Sequence, residues 1–324
     1  MGAKLQAKTE MPGVDRPASD LALGTAFYRV QDRELCFRIL DDFRSYGGTL
    51  IDSGRLYGDS EAVIGEWMDA RAARDEMVTI TKCGHGPDGF LPAEDFEDVV
   101  TEELATSLEC LRTDCIDVYM LHRDNPSVPV ARIMDRLNRE VDRGRVRALG
   151  ASNWAYPRID MANEYADRHG LKGFVSVSNN ISLAVPTGPF YTGLVSTDGA
   201  GERWHERTGT PLIAWSAQAR GFFVGGYTTE MRERAASIGE GFTRRMIDIY
   251  CTDENLERLE RARALGEQKG GVSATQIALA WLLHKPFPLL PIVGPHTPEE
   301  LTSCVEATSI QLSEDEIGWL NLEC

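Results

Sequence analysis

Four ionisable side chains stand out by type and spacing: Asp52, Tyr57, Lys82 and His122. A carboxylate, a phenol, an amine and an imidazole brought together suit proton donation to a carbonyl oxygen. A free tyrosine has a pKa of about 10 and is a poor acid near neutrality. A buried ammonium beside it stabilises the phenolate and draws that value toward useful general-acid strength. Lys82 is the expected cation, Asp52 the group that keeps it charged and oriented, and His122 the hydrogen-bond partner that positions a substrate oxygen. Singly, each has a plainer reading: Asp52 as a helix cap, Lys82 as a solvated strand end, His122 as a rim histidine. Their joint placement at successive strand ends favours chemistry. Carbonyl reduction or alcohol oxidation fits this set. Hydrolysis does not, because neither a Ser-His-Asp arrangement nor a pair of acids is visible.

These residues need a scaffold that gathers strand ends. Eight short runs read as strands: 21–25, 48–53, 77–83, 115–122, 146–152, 173–179, 211–216 and 289–294. They are too continuously apolar for strands with one wet face. Between them lie helical stripes, such as Phe96, Val99, Val100, Leu104, Leu108 and Leu111, or Val130, Ile133, Met134, Leu137 and Val141. Alternation of this kind predicts a single-domain (β/α)8 TIM barrel over 21–324, with long loops after strands six and seven. An open doubly wound sheet is the alternative, but no GxGxxG follows the first strand. Residues 1–20 read as a flexible polar tail. Barrel chemistry sits at the C-terminal strand ends, so the segments 184–208 and 218–250 are expected to wall a substrate pocket.

The 324 residues include 34 basic and 50 acidic side chains, a net charge of −16. A field of that sign repels phosphate backbones and anionic lipid, which argues against nucleic-acid or membrane-surface partners. No apolar run approaches the roughly 18 residues of a membrane span. Seven cysteines without CxxC or Cys/His spacing predict neither a metal site nor a disulfide framework, and point to a reducing cytoplasm.

The stretch 47–65, GGTLIDSGRLYGDSEAVIG, resembles the aldo-keto reductase signature. TITK (79–82), DVYMLHRDNP (117–126), GRVRALGASNW (144–154), PLIAWSAQARGFF (211–223) and PIVGPHTPEEL (291–301) follow in the family's order over nearly the whole chain after residue 20. The resemblance implies an NAD(P)H-dependent oxidoreductase with Tyr57 as general acid among Asp52, Lys82 and His122. It also implies that Ser152 and Asn153 hold the nicotinamide carboxamide and that Trp215 stacks on its ring, with Ser216, Gln218 and Gly294 as further cofactor contacts. Where the family commonly has Gln at the end of strand six, this chain has Ser178, and Asn179 is expected to share its contact. Where the family commonly has Arg or Lys for a 2′-phosphate and then Glu-Asn for adenine, this chain has His296 and Ser303-Cys304. NADP remains the cofactor implied, held through Thr297 and the helix it begins, with NAD possible because a mostly neutral histidine lacks an arginine's donors.

The resemblance, together with Trp204, Gln218, Arg220 and Phe222, which suit a hydroxylated ligand with an apolar face, implies a sugar, glycoside or polyol-like carbonyl as the substrate. The competing reading is a non-catalytic, nucleotide-sensing partner subunit on the same fold, and the intact set of four counts against it. A barrel aldolase or isomerase would want a Schiff-base lysine or metal ligands. No feature of the sequence sets the oligomeric state.

Overall fold

A computed structural model describes residues 3–86, 90 and 94–323; Cys324 lies outside them. Two short strands, β1 (Ala7–Thr9) and β2 (Ala18–Ser19), pair antiparallel. The barrel strands follow as β3 (Ala22–Gly24), β4 (Leu50–Asp52), β5 (Val78–Cys83), β6 (Ile116–Leu121), β7 (Val146–Ser152), β8 (Phe174–Ser178), β9 (Leu212–Ala214) and β10 (Leu289–Val293). All eight are parallel and close on themselves in sequence order, with β10 against β3. Each falls within one of the eight runs read from the sequence.

Helices α1 (Arg33–Ser45), α2 (Ser60–Arg71), α3 (Phe96–Cys110), α4 (Val130–Asp142), α5 (Tyr156–His169) and α6 (Gly199–Thr208) connect successive strands up to β9. After β9 come α7 (Thr229–Glu233), α8 (Phe242–Tyr250), α9 (Asp253–Gln268) and α10 (Ala274–Leu283), and after β10 come α11 (Pro298–Ala307) and α12 (Glu314–Leu320). The segments expected to be loops are therefore partly helical. In the first, Asp198 caps α6 by accepting from the N–H groups of Ala200 and Gly201, and Gly209 ends it in the left-handed region.

Two apolar regions hold the barrel. Leu50, Val78, Ile80, Val118, Met120, Ile213 and Leu290 fill its interior, while a larger shell lies between strands and helices. The interior is packed with side chains, so chemistry is confined to the rim.

Within the expected flexible tail, the described residues 3–20 are instead part of the fold. Met11 and Ala18 join the interior cluster and are almost wholly buried. Arg16 reaches across to Asp117, which is also paired with Arg74 at the bases of β5 and β6. The sequence looks polar there because the hairpin contributes only a few apolar contacts, and its arginine faces a buried carboxylate. A cavity of about 900 Å³ lies at this end, lined by residues 10–17, Arg147 and Phe174 among others. It contains none of the four ionisable residues.

Candidate active site

β4 ends on Asp52, and Lys82 is the penultimate residue of β5. Asp52 stands opposite Ile80, and Lys82 opposite Met120. Ile80 and Met120 belong to the interior cluster, so register alone turns both charged side chains inward. There, Lys82 Nζ lies 2.5 Å from Asp52 Oδ1 and donates to the Ser53 carbonyl at 2.8 Å. Both residues are nearly solvent-free.

Tyr57 closes a single 3-10 turn, Arg55–Tyr57, whose N–H bonds back to the Gly54 carbonyl. Its ring centre lies 5.4 Å from the Lys82 ammonium. Its ring meets the His122 ring edge-on, with centroids 5.5 Å apart. Gly54 lies close to both rings: a Cβ there would sit 3.4 Å from each. His122 follows β6 and donates its backbone N–H to the Cys83 carbonyl. The structure thus brings Asp52, Tyr57, Lys82 and His122 together at the C-terminal end of adjacent strands. Glu61 is a supporting residue that sequence reasoning passed over. Almost fully buried, it accepts from Thr81 Oγ1 and pairs with Arg55. Its signal was the Glu of the quoted signature, to which no task had been given.

Electrostatics correct one expectation. Burial raises the Tyr57 phenol, Lys82 opposes that, and Asp52 adds to it; the net result lies above the ordinary value rather than below. Desolvation outweighs one neighbouring cation here. The phenol therefore keeps its proton at neutral pH. Burial also opposes the charge on Lys82, but Asp52 and Tyr57 outweigh it and hold the amine above its usual range. His122 moves the other way: burial, then Lys82, His85 and Arg123, push it well below its ordinary value, so the ring is neutral. Its Nδ1 is buried without a protein hydrogen-bond partner.

Of the expected cofactor contacts, Ser152 ends β7 and stands opposite Ser178, which ends β8. The Ser178 hydroxyl is buried and has no protein partner. Asn179 differs from expectation. The pleat turns it away from Ser178, and its amide donates to the Trp154 carbonyl, so it does not share Ser178's side of the strand. Asn153 is held at φ 55°, and its amide bridges the His122 carbonyl and the Val195 N–H. Trp215 is half-buried, with its indole N–H lacking a partner, and Ser216 follows at φ 51°. Non-glycine residues in that region are strained and often mark ligand sites. Gln218 donates to Cys304 Sγ, and Gly294 and His296 are exposed after β10. Thr297 caps α11, and the Glu300 carboxylate accepts from the His296 N–H at 2.7 Å. Buried orphan donors and left-handed backbone beside the four residues fit a planar, polar ring such as nicotinamide.

The expected substrate contacts divide. Arg220 reaches the mouth: its guanidinium lies over the Phe190, Trp215 and Tyr191 rings and acts electrostatically on Tyr57. Trp204 does not. It sits on α6, packs on Tyr156 and donates its indole N–H to Asp160 on α5, outside the barrel. Phe222 is fully buried among Phe223, Tyr227 and Tyr250 and serves the core. Arg245 on α8 reaches the same aromatic pair, Phe190 and Tyr191, and no sequence signal near the four residues pointed to it.

Among the described residues no cluster of His, Cys, Asp and Glu could hold a metal ion, and none of the described helices is long and apolar enough to cross a membrane. The arrangement can hold a neutral phenol against a fixed ammonium and present it, beside a neutral imidazole, to an oxygen that gains electrons.

The family model for the Aldo/keto reductase family matches residues 20–321. An aryl-alcohol dehydrogenase (NADP(+)) from Phanerodontia chrysosporium is 30% identical over 308 residues, covering 90% of this chain and 76% of the relative. A norsolorinic acid reductase from Aspergillus flavus is 31% identical over 296 residues, covering 88% and 70%. In fold, the chain matches a thermostable aldo-keto reductase solved with the inhibitor epalrestat at a TM-score of 0.70, over 97% of this chain and 98% of that one, at 20% identity. The parallel barrel and its motifs are those of a known group of NAD(P)H-dependent oxidoreductases: the chain belongs to the aldo/keto reductase family.

Proposed function

We propose that this enzyme reduces an aldehyde or ketone with Tyr57 as general acid. The observation that carries the reading is the Lys82 amine, paired with Asp52 and 5.4 Å from the centre of the Tyr57 ring. Ser152, Asn153 and Ser178 would hold the nicotinamide carboxamide, Trp215 would lie against the ring, and Ser216, Gln218, Gly294, His296 and Thr297 would contact the rest of the cofactor. Bound reduced nicotinamide supplies the hydride. His122, neutral and aimed at the same space, orients the carbonyl oxygen by a hydrogen bond. Tyr57 then gives its proton to that oxygen as negative charge builds, while Lys82 stabilises the phenolate left behind. Asp52 keeps Lys82 charged through the step.

The cofactor is NADPH by family habit, with NADH accepted because Glu299 and Glu300 put negative charge in the first turn of α11, where a 2′-phosphate would want donors. The sugar, glycoside or polyol expectation loses much of its support, since Trp204 and Phe222 face elsewhere and Gln218 is engaged with Cys304. Phe190, Tyr191 and Trp215 favour a flat carbonyl substrate, in keeping with the names of the aryl-alcohol and norsolorinic acid relatives. Free thiols at all six described cysteines suit a reducing, cytoplasmic setting.

Tyr57→Phe tests the reading. Turnover of an aromatic aldehyde should fall by about 10²–10⁴-fold, with NADPH affinity by fluorescence titration unchanged. Retained turnover would reject Tyr57 as the acid.

A further inference from the structure

The aromatic wall of the mouth carries two arginines that face no carboxylate. Arg220 lies 4.3 Å from the Phe190 ring centre, and Arg245 lies 4.6 Å from that of Tyr191. Phe190 and Tyr191 meet edge-to-face at 5.1 Å, so the two cations clasp one ring pair. Neither makes an ion pair among the described residues, in a chain with 50 acidic side chains. The Nε of Arg220 is buried with no hydrogen-bond partner. Ala219 and Arg220 are both left-handed, at φ 48° and 54°, so strained backbone fixes where this guanidinium points.

Three costs coincide here. A buried guanidinium N–H without a partner is expensive. Two like charges over one ring pair repel. Non-glycine residues with positive φ are strained. An oxyanion between the arginines would offset the first two at once. A ring occupies one face of each guanidinium and leaves its in-plane N–H edge open, which is the edge that grips a carboxylate. A net charge of −16 repels anions elsewhere, so a local pair of cations is what an anionic ligand would need.

We propose that Arg220 and Arg245 form an oxyanion subsite, so that the substrate is an aromatic or similarly flat aldehyde or ketone bearing a carboxylate. This deepens the carbonyl-reductase reading and rests on it. A cofactor phosphate offers the same chemistry. The substrate is favoured because the Arg220 guanidinium also lies 5.8 Å from the centre of the Trp215 ring, just past the end of β9, and its charge acts on the Tyr57 phenol.

The test compares 3- and 4-formylbenzoate with their methyl esters in the wild type, Arg220→Met and Arg245→Met. The wild type should favour the acids in kcat/KM by about tenfold or more, through KM. Each variant should bring the acid-to-ester ratio toward one, with NADPH and NADH affinity unchanged by calorimetry. No preference in the wild type would overturn the proposal. So would variants that keep the ratio but bind cofactor more weakly, which would assign the arginines to a cofactor phosphate. Calorimetry of terephthalate with NADP-saturated protein separates the two readings. Binding that Arg220→Met abolishes, with no aldehyde turned over by the wild type, would keep the subsite and reject the reductase. No binding, with turnover of neutral aldehydes, would do the reverse.

Discussion

Glu61 ties the turn that carries Tyr57 to the strand that carries Lys82: its carboxylate accepts from Thr81 Oγ1 at 2.5 Å and pairs with Arg55. Thr81 precedes Lys82, and Arg55 opens the turn that Tyr57 closes. Acid and cation are thus held to one another by a side chain that touches neither.

Glu61→Gln keeps a partner for Thr81 but removes the charge facing Arg55. Because Glu61 is buried and Arg55 only partly so, the cost should be about 2 kcal/mol, seen as a loss of a few degrees in Tm. As a positioning residue, Glu61 should move kcat by about tenfold and leave cofactor affinity unchanged. A normal kcat in the folded variant would remove it from the mechanism.

The pH profile follows from the Tyr57 shift. Its pKa is raised, so the proton-bearing form persists through neutrality and past the ordinary tyrosine value. Reduction should be nearly flat from about pH 7 to 9 and decline only above about 10. Lys82→Met removes the lowering contribution and leaves burial and Asp52, so it should slow reduction and push the alkaline limb higher still. Stopped-flow rates across pH would show the limb; one near pH 8 would contradict the electrostatics.

His122 makes a separate claim about stability. Its folded pKa is lowered well below 6.5, so the unfolded chain binds the proton more readily. The linked stability is present above about pH 6.5 and is lost as the pH falls below it. His205, also lowered by burial, adds to the same window. Thermal melts of the wild type should weaken on acidification from about pH 7 to 5, and His122→Asn should flatten part of that slope. An identical slope in the variant would mean that His122 titrates normally.

Glu300 should bias cofactor choice. Glu300→Gln keeps an oxygen for the His296 N–H while removing charge from the start of α11. Affinity for NADPH relative to NADH should rise by about threefold, measured by fluorescence titration. No change in that ratio would place the 2′-position away from this helix.

The barrel and the central four were legible because both leave marks in local sequence. A strand covered on both faces must be apolar, so Asp52 and Lys82 near strand ends are conspicuous. What was hidden depends on register and on distance. A shift between Leu149 and Gly150 sets how β7 meets β8, and no local pattern tells that Ser178 rather than Asn179 shares the side of Ser152. Trp204 could have been placed, because Asp198 and Gly209 bracket a helix of ordinary length. Arg245 could not: it lies far along the chain from Tyr57 and meets Phe190 only once α8 has folded back. The hairpin at 7–19 was missed because its strands are two and three residues long, too short for any alternation to register.

That hairpin has a practical consequence. It seals the base of the cylinder, with Met11 plugged into the interior and Arg16 latched to Asp117. A tether grafted into the 10–17 loop would therefore hang the molecule by its foot, leaving the opening beside Tyr57 turned toward the bulk liquid.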